Sequence, residues 1–244
     1  MDSGYYAACA GLIARTDALD VAANNLANIN TTAYKGQREH FRSLVAGAAE
    51  RSRNPLTRAV NDFGVVGGTR VDFLPGNLER TGNDLDLGIE GSAFFSVQTK
   101  NGIRYTRDGH FSISSTGELV TAGGDAVLGD AGKINLPAGP VSISSDGTIS
   151  SSGAVVAKLK LVEFPNNDLI AEGASYFTAP PDSAKPAKNS AARQGVVEAS
   201  NVNPVAASVG LIMLQRNAEM LQRALSVFYT DFNRAAVEDL PRVS

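Results

Sequence analysis

The sequence of 244 residues has no tryptophan and few of the residues that build redox and metal sites, with one cysteine and two histidines. Cys9 alone cannot form an intrachain disulfide, and His40 and His110 are too few for a ligand-spaced metal set. No run of about 18 apolar residues is present, so we expect no membrane-spanning helix. Residues 1–5 lack the basic, apolar and cleavage segments of a secretory signal, which by itself predicts a cytoplasmic protein.

Apolar heptads are present at both ends of the chain. In the C-terminal forty residues, apolar positions alternate in steps of four and three: Ala207, Leu211, Leu214, Ala218, Leu221, Leu225, Phe228 and Phe232. Near the N-terminus they recur every seven residues, with Ala8, Ala22 and Ile29 between them: Tyr5, Leu12, Leu19 and Leu26. These patterns predict two amphipathic helices, at about residues 4–29 and 204–239, the second capped by Asn203 before Pro204.

Between the helices the periodicity changes to two. Residues 84–87 and 158–161 alternate strictly, and pairs such as Asn101-Gly102 and Asp108-Gly109 supply the positive φ angles of tight turns. We therefore predict an α+β protein with a central antiparallel β domain, barrel-like or sandwich-like. The preceding basic and glycine-containing stretch is interpreted as an extended connector of little regular structure, or as a helix continuing to Leu44.

The predicted organisation has four parts. These are an axial helix with a turn (1–36), the connector (37–69), the β domain (70–197) and a second axial helix (198–244), which packs with 1–36 in a coiled-coil-like pair. A lone amphipathic helix is marginal in water, so both stripes need partners. An intrachain hairpin would satisfy them, and so would a pair that also packs against other copies. Small residues around the first helix favour the second arrangement: Ala7, Ala10, Gly11, Ala14, Ala18 and Ala27.

Three separate blocks resemble the bacterial flagellar rod and hook proteins. Residues 21–35, with the run Ala-Asn-Asn-Leu-Ala-Asn followed by Thr31, Tyr34 and Lys35, are similar to the family's N-terminal signature. Residues 91–121 look like its central β block, and residues 200–220 like its C-terminal helix signature. Residues 134–163 and the chain length look most like the proximal rod protein, with the distal rod protein as the alternative. The family usually has glycine where this chain has Ala33, which suggests a different turn geometry here.

The resemblance implies a structural subunit of the flagellar rod that polymerises through its terminal helices into a drive shaft transmitting torque across the periplasm. Its implied partners are copies of itself, other axial proteins and, during secretion, the flagellar export apparatus. Neither nucleic acid nor direct membrane insertion is expected, and neither an enzymatic activity nor a cofactor. Export without a cleavable signal would replace the cytoplasmic prediction with a place in the periplasmic basal body.

The predicted assembly interface combines the heptad leucines with three asparagines of the N-terminal signature. Amides buried among helices need partners and can fix the register of subunits, although the asparagines also suit a mere helix end. The residues are Leu12, Leu19, Asn24, Asn25, Leu26, Asn28, Leu211, Leu214, Ala218, Leu221, Leu225, Phe228 and Phe232.

Other classes of function have weaker support. For an enzyme, His110 and the pair Asp84 and Asp86 are the candidates, but a solvated strand face explains them better. For a nucleic-acid binder, the excess of basic residues in 34–58 is the only support, and a solvated connector explains it. A self-assembling tail or adhesin subunit would also carry heptads, but the N-terminal signature argues against it.

Overall fold

The computed structural model describes residues 2–42, 65–137, 139–164, 169–173 and 175–238. They divide into two compact units. Of the described residues, the first contains those within 2–26, 37–42, 65–70 and 203–238, and the second contains those within 27–36 and 71–202. The signature turn therefore belongs to the same unit as the central strands, whereas the sequence grouped it with the N-terminal helix.

The first unit contains two long helices and a small sheet. Helix α1 spans Asp2–Ala27 and α2 spans Pro204–Glu238. As predicted, Asn203 caps α2, because its Oδ1 accepts a hydrogen bond of 3.0 Å from the Ala206 N–H. Strands β1 (Gln37–Arg42) and β2 (Val65–Val71) pair in a two-stranded sheet.

Strand β1 corrects the interpretation of the connector. Residues 37–42 form neither irregular chain nor a continued helix, and Leu44 lies outside the described residues. The run Gln-Arg-Glu-His-Phe-Arg is so polar that no alternation shows in it, and its strand conformation depends on pairing with β2. Local sequence therefore could not predict this element.

The second unit is built from short antiparallel strands. The largest sheet has ten strands, with β15-β16-β6-β5-β9-β8-β7 as its path, β10 beside β9, and β14 between β5 and β17. A three-stranded sheet (β11-β12-β13) and the pairs β18-β4 and β19-β3 complete it. The bounds are β3 Leu78–Arg80, β4 Leu87–Glu90, β5 Phe94–Thr99, β6 Gly102–Thr106, β7 Phe111–Ile113, β8 Leu119–Thr121, β9 Ala126–Gly129, β10 Gly132–Lys133, β11 Val141–Ile143, β12 Thr148–Ser151, β13 Ala154–Lys158, β14 Leu161–Glu163, β15 Ile170–Glu172, β16 Tyr176–Thr178, β17 Lys185–Pro186, β18 Ala191–Gln194 and β19 Val196–Glu198.

The α+β class and the antiparallel β region are confirmed, but the described strands do not close into a barrel. Two hydrophobic cores lie on opposite sides of β5, because successive side chains of a strand point to opposite faces. Phe95 belongs to the larger core with Phe111, and Phe94 belongs to a smaller aromatic core with Phe164 and Phe177. Strand β5 is thus the shared wall of both cores.

Two predictions for the β region need correction. Asp84 lies in a turn and Asp86 in a single bridge, so strand β4 begins only at Leu87, and Asp86 is buried rather than solvated. Gly109 does not supply a positive φ angle. Glycine is required there because a Cβ would lie 1.7 Å from the carbonyl oxygen of Leu87. The buried carboxylate and the close backbone approach both depend on long-range pairing.

Candidate assembly interface

The predicted seam of α2 lies on the less exposed side of this helix. Six seam side chains are described: Ala218 is buried, and the others are half-buried, namely Ala207, Leu211, Leu214, Leu221 and Leu225. Phe228 and Phe232 belong to α2, but their side chains lie outside the described part of the chain. The heptad pattern thus identifies the side of α2 that is turned away from solvent.

A second apolar stripe of α2 was missed from the sequence. It lies about half a turn around the helix from the seam, and its large side chains are exposed: Val205, Val209, Ile212, Met213, Met220 and Val227. Met213, Met220 and Val227 follow at intervals of seven, so a second heptad period was the available signal. Arg216 and Arg223 lie in the same stripe and are exposed. A helix with two apolar faces can contact neighbours on two sides.

The most buried line of α1 consists of small residues. Gly11, Ala14 and Ala18 are buried, and Ala18 has no accessible surface. The predicted heptad residues lie beside this line and are half-buried: Leu12, Leu19 and Leu26. Small side chains let another backbone approach closely. This line of α1 therefore favours close packing, although its side chains bury little apolar area.

Asn25 binds the backbone at the start of β1. Its Nδ2 donates to the Gln37 carbonyl at 2.7 Å, and its Oδ1 accepts from the Gln37 N–H at 2.8 Å. This reciprocal pair ties the end of α1 to the small sheet. Asn28 accepts a hydrogen bond from the Thr31 hydroxyl at 3.1 Å, and Asn24 is exposed. The Asn25 and Asn28 amides thus bind groups of their own chain, and a role of the three asparagines in subunit register stays a prediction.

The turn at Ala33 has the geometry that glycine would favour. Its φ angle is 56°, in the left-handed region, so the expectation of a different turn was wrong. Ala33 donates its N–H to the carbonyl of Glu198 at 2.7 Å, and Asn201 donates its N–H to the carbonyl of Tyr34 at 3.3 Å. The Asn201 side chain accepts from the Gly36 N–H at 2.8 Å. Backbone pairing with residues 198–201 therefore holds the turn in a conformation that alanine alone disfavours.

A buried ion cluster lies beside this turn. The Lys35 Nζ is 2.6 Å from Glu198 Oε1 and donates to the Leu74 carbonyl at 2.8 Å. The same carboxylate oxygen accepts from the Gly76 N–H at 2.7 Å. Its other oxygen, Oε2, accepts from the Arg107 Nε at 2.5 Å. One carboxylate therefore serves two cations, and all three side chains are at most 1% exposed.

The other guanidinium N–H groups of Arg107 donate hydrogen bonds to acceptors within the β unit. They donate to the carbonyls of three residues around β4 and β5, at 2.8–3.1 Å: Ile89, Gly91 and Ala93. The Arg107 Cζ lies 5.6 Å from the centre of the Phe94 ring. A planar guanidinium with this many acceptors is fixed in place, so Arg107 positions Glu198.

Burial and charge act in opposite directions on Lys35. Desolvation lowers the pKa of Lys35, while the adjacent Glu198 carboxylate raises it. The cluster is closed to solvent, so no substrate can reach it. Its arrangement suits joining chain segments rather than chemistry.

The sequence candidates for an enzyme lie close together, because Asp86 and His110 form a β-bridge. His110 is exposed, and its Nδ1 lies 3.5 Å from Asp108 Oδ1. Burial raises the pKa of Asp108.

Among the described residues, no group of three or more histidines, cysteines or carboxylates could hold a metal. Neither helix in this part of the chain has the length and hydropathy needed to cross a membrane. Of the basic segment 34–58, residues 43–58 lie outside the described residues, and Lys35 is buried.

Comparison with known proteins decides the family. A model described as "Flagella basal body rod protein" matches residues 6–35. The "Flagellar hook protein FlgE/F/G D1 domain" matches 88–156, and the "Flagellar basal body rod FlgEFG protein C-terminal" matches 193–228. The flagellar basal-body rod protein FlgF of Caulobacter vibrioides is 34% identical over the whole of both chains. The chain belongs to the flagellar basal-body rod protein family.

Other relatives agree. FlgF of Mesorhizobium japonicum is 32% identical, with 90% of each chain covered. FlgG of Buchnera aphidicola subsp. Acyrthosiphon pisum is 31% identical, with 88% of this chain and 92% of that protein covered. The rod-family chain is thus a structural subunit of the flagellar basal-body rod, as the signature blocks predicted.

Each matched segment supplies one residue of the buried ion cluster. Lys35 ends the first segment, Arg107 lies in the second and Glu198 in the third. Lys35 and Arg107 lie within the first two sequence blocks described above, which give neither residue a role, and Glu198 lies just before the third block. No local signal marks these residues as partners, because 163 residues separate Lys35 from Glu198.

Proposed function

We propose that this rod subunit polymerises through its terminal helices into the helical drive shaft that transmits torque across the periplasm. The observation that carries the proposal is the second, exposed apolar stripe of α2, opposite the half-buried seam. Exposed apolar side chains in a row are a typical contact surface, and a helix with two apolar faces can be shared between neighbours.

The two units have different roles in this proposal. The helices form the contacts between subunits, and the seam residues and asparagines named from the sequence belong to those contacts. The β unit is a folded body that keeps its own cores. The helices order fully when neighbours cover their stripes, so that folding of the ends is coupled to polymerisation.

The proposal also covers the partners of the subunit and its place in the cell. The partners are copies of this chain and other axial rod proteins, with the export apparatus engaged during secretion. The subunit lies in the periplasmic part of the basal body, in the proximal rod. It acts by assembly and not by catalysis, and nucleic acid has no part in it.

Substitution of two exposed methionines tests the proposal. Met213 and Met220 are 61% and 60% exposed, so replacing both with aspartate leaves the free subunit folded. Charges introduced into an apolar contact are costly to desolvate. We therefore expect the M213D/M220D variant to lose swimming motility and to be absent from purified basal bodies when it replaces the native copy in the cell.

A matched control uses the same helix. Gln215 and Gln222 are also exposed and seven residues apart, but they lie outside both stripes. The Q215D/Q222D variant adds the same charge at the same spacing and should assemble normally. The proposal would be refuted if M213D/M220D were incorporated into basal bodies at the wild-type level.

A further inference from the structure

We infer that rod contacts are heterologous: the acidic face of α1 in one copy packs on the basic stripe of α2 in the next copy. The acidic face consists of Ile13, Asp17 and Asp20, and the basic stripe is the exposed apolar stripe that includes Arg216 and Arg223. This inference rests on the proposed polymerisation through the helices. It adds that the acidic face of α1 is the partner of the basic stripe of α2.

The acidic face lies opposite the buried line of small residues on α1. Ile13 is 62% exposed, and Asp17 and Asp20 follow it at helical spacing. Among the described residues, neither aspartate has an ion-pair or hydrogen-bond partner. Arg15, the basic residue of α1, lies on the half-buried side. This face therefore presents one apolar side chain with two uncompensated negative charges.

The basic stripe has the complementary composition. Arg216 and Arg223 stand between exposed apolar residues, and within the described part of the chain no carboxylate pairs with either. Glu219 is exposed on the flank of the stripe, one helical turn from each arginine. Long arginine side chains can cover apolar surface while their guanidinium groups reach a carboxylate on a neighbour.

Charge disfavours the symmetric alternatives. If the stripe of one α2 packed on the same stripe of another, arginines would meet arginines, and two acidic faces would bring aspartates together. Like charges placed opposite each other across a contact repel, and this repulsion suppresses such pairings. A contact between two different faces leaves each face of every copy with a partner, and repeats of such a contact build an open helical array.

Charge reversal in the full-length chain tests this pairing in the native cell. We expect D17R/D20R and R216D/R223D each to lower the amount of subunit in purified basal bodies at least about tenfold. The chain that carries all four substitutions should recover incorporation, because its two faces are complementary again. The K100D/K160D variant, which makes the charge change of R216D/R223D on the exposed surface of the β unit, should incorporate normally.

Co-expression of the two reversal variants separates contacts between chains from contacts within one chain. The reversed α1 face of one variant matches the reversed α2 stripe of the other, so alternating copies should restore incorporation and motility. Recovery by the fourfold chain without recovery by co-expression would place the contact within a single chain and overturn the inference. Normal incorporation of both reversal variants, or no recovery in either experiment, would overturn it as well.

The methionine variant keeps the two proposals distinct. If M213D/M220D assembles normally, polymerisation through this stripe is wrong. If M213D/M220D fails to assemble while both charge reversals assemble, only the pairing of the two faces is wrong.

Discussion

The substitution of Glu198 by glutamine should be among the most damaging single changes to the β unit. Glutamine has nearly the shape of glutamate but no charge, so Lys35 and Arg107 would remain buried without their shared anion. The glutamine oxygen can still accept from Lys35 or from the Gly76 N–H. Its amide group, however, must face the Arg107 Nε, and two donors then meet where a 2.5 Å hydrogen bond existed.

The expected loss follows from burial. Removing one partner of a buried ion pair usually costs about 3–5 kcal/mol, because an uncompensated charge is left inside. For a chain of this size, that corresponds to a fall in melting temperature of about 6–20 °C. Arg107 keeps its three carbonyl acceptors and limits the loss to that range.

The loss should depend on pH, through Lys35. Burial lowers the pKa of Lys35 in the fold, so the folded state binds fewer protons than the unfolded state between that pKa and about 10.4. The free energy of unfolding therefore rises with pH across that window. Below the window, the full cost of burying the charged Lys35 side chain is present. In the E198Q variant the raising effect of Glu198 is gone, so the pKa falls further. The difference in stability between wild type and variant should shrink as pH rises.

Urea unfolding of the purified chains, followed from pH 6 to pH 10, measures both effects. The control is E90Q, because Glu90 forms an ion pair with Arg193 at 2.7 Å, with both side chains about half exposed. That substitution should cost less than about 1 kcal/mol. If E198Q were no more destabilising than E90Q, or if its cost did not change with pH, the reasoning about the cluster would be refuted.

Three further predictions concern the ends of the chain. The L214D/L221D variant should abolish rod assembly and motility while the β unit keeps its thermal transition, and normal motility would contradict the role of the seam. The N25L variant should lose the paired hydrogen bonds to Gln37, about 1–3 kcal/mol, by urea unfolding; full rod assembly would count against a register role. Limited proteolysis of the free subunit should remove both helices first, leaving a core that contains the β unit with residues 27–36 and 71–202. Protected ends would argue against folding coupled to assembly.

The sequence predicts best where the signal is local. The cap at Asn203 and the helix after it are as expected, because capping and heptad spacing are properties of a few neighbouring residues. The turn at Asn101-Gly102 also forms as expected, with a φ angle of 104° at Gly102. Motif resemblance carried the family assignment, which the relatives confirm.

The failures have a common cause in long-range pairing. Strand β1 is hidden by its charged residues, and Asp86 is buried although its alternating neighbours suggested a solvated face. The ion cluster joins residues from three distant segments, so no window of sequence contains it. The second stripe of α2 was visible as a heptad, but whether an apolar face is covered depends on the surrounding fold.

The hydrogen bonds between residues 33–36 and 198–201 also bear on how such chains could change length during evolution. Because these two segments lie side by side, the polypeptide leaves the β unit next to the point where it arrives. After β1 and β2 the chain returns to this place, where Asp72 donates its N–H to the Gly36 carbonyl at 2.8 Å. Residues 73–197 therefore form an excursion whose size does not alter the separation of its ends. Material could be added to or removed from that excursion without disturbing the helices on either side, provided that the pairing at its base and the carboxylate of Glu198 are kept.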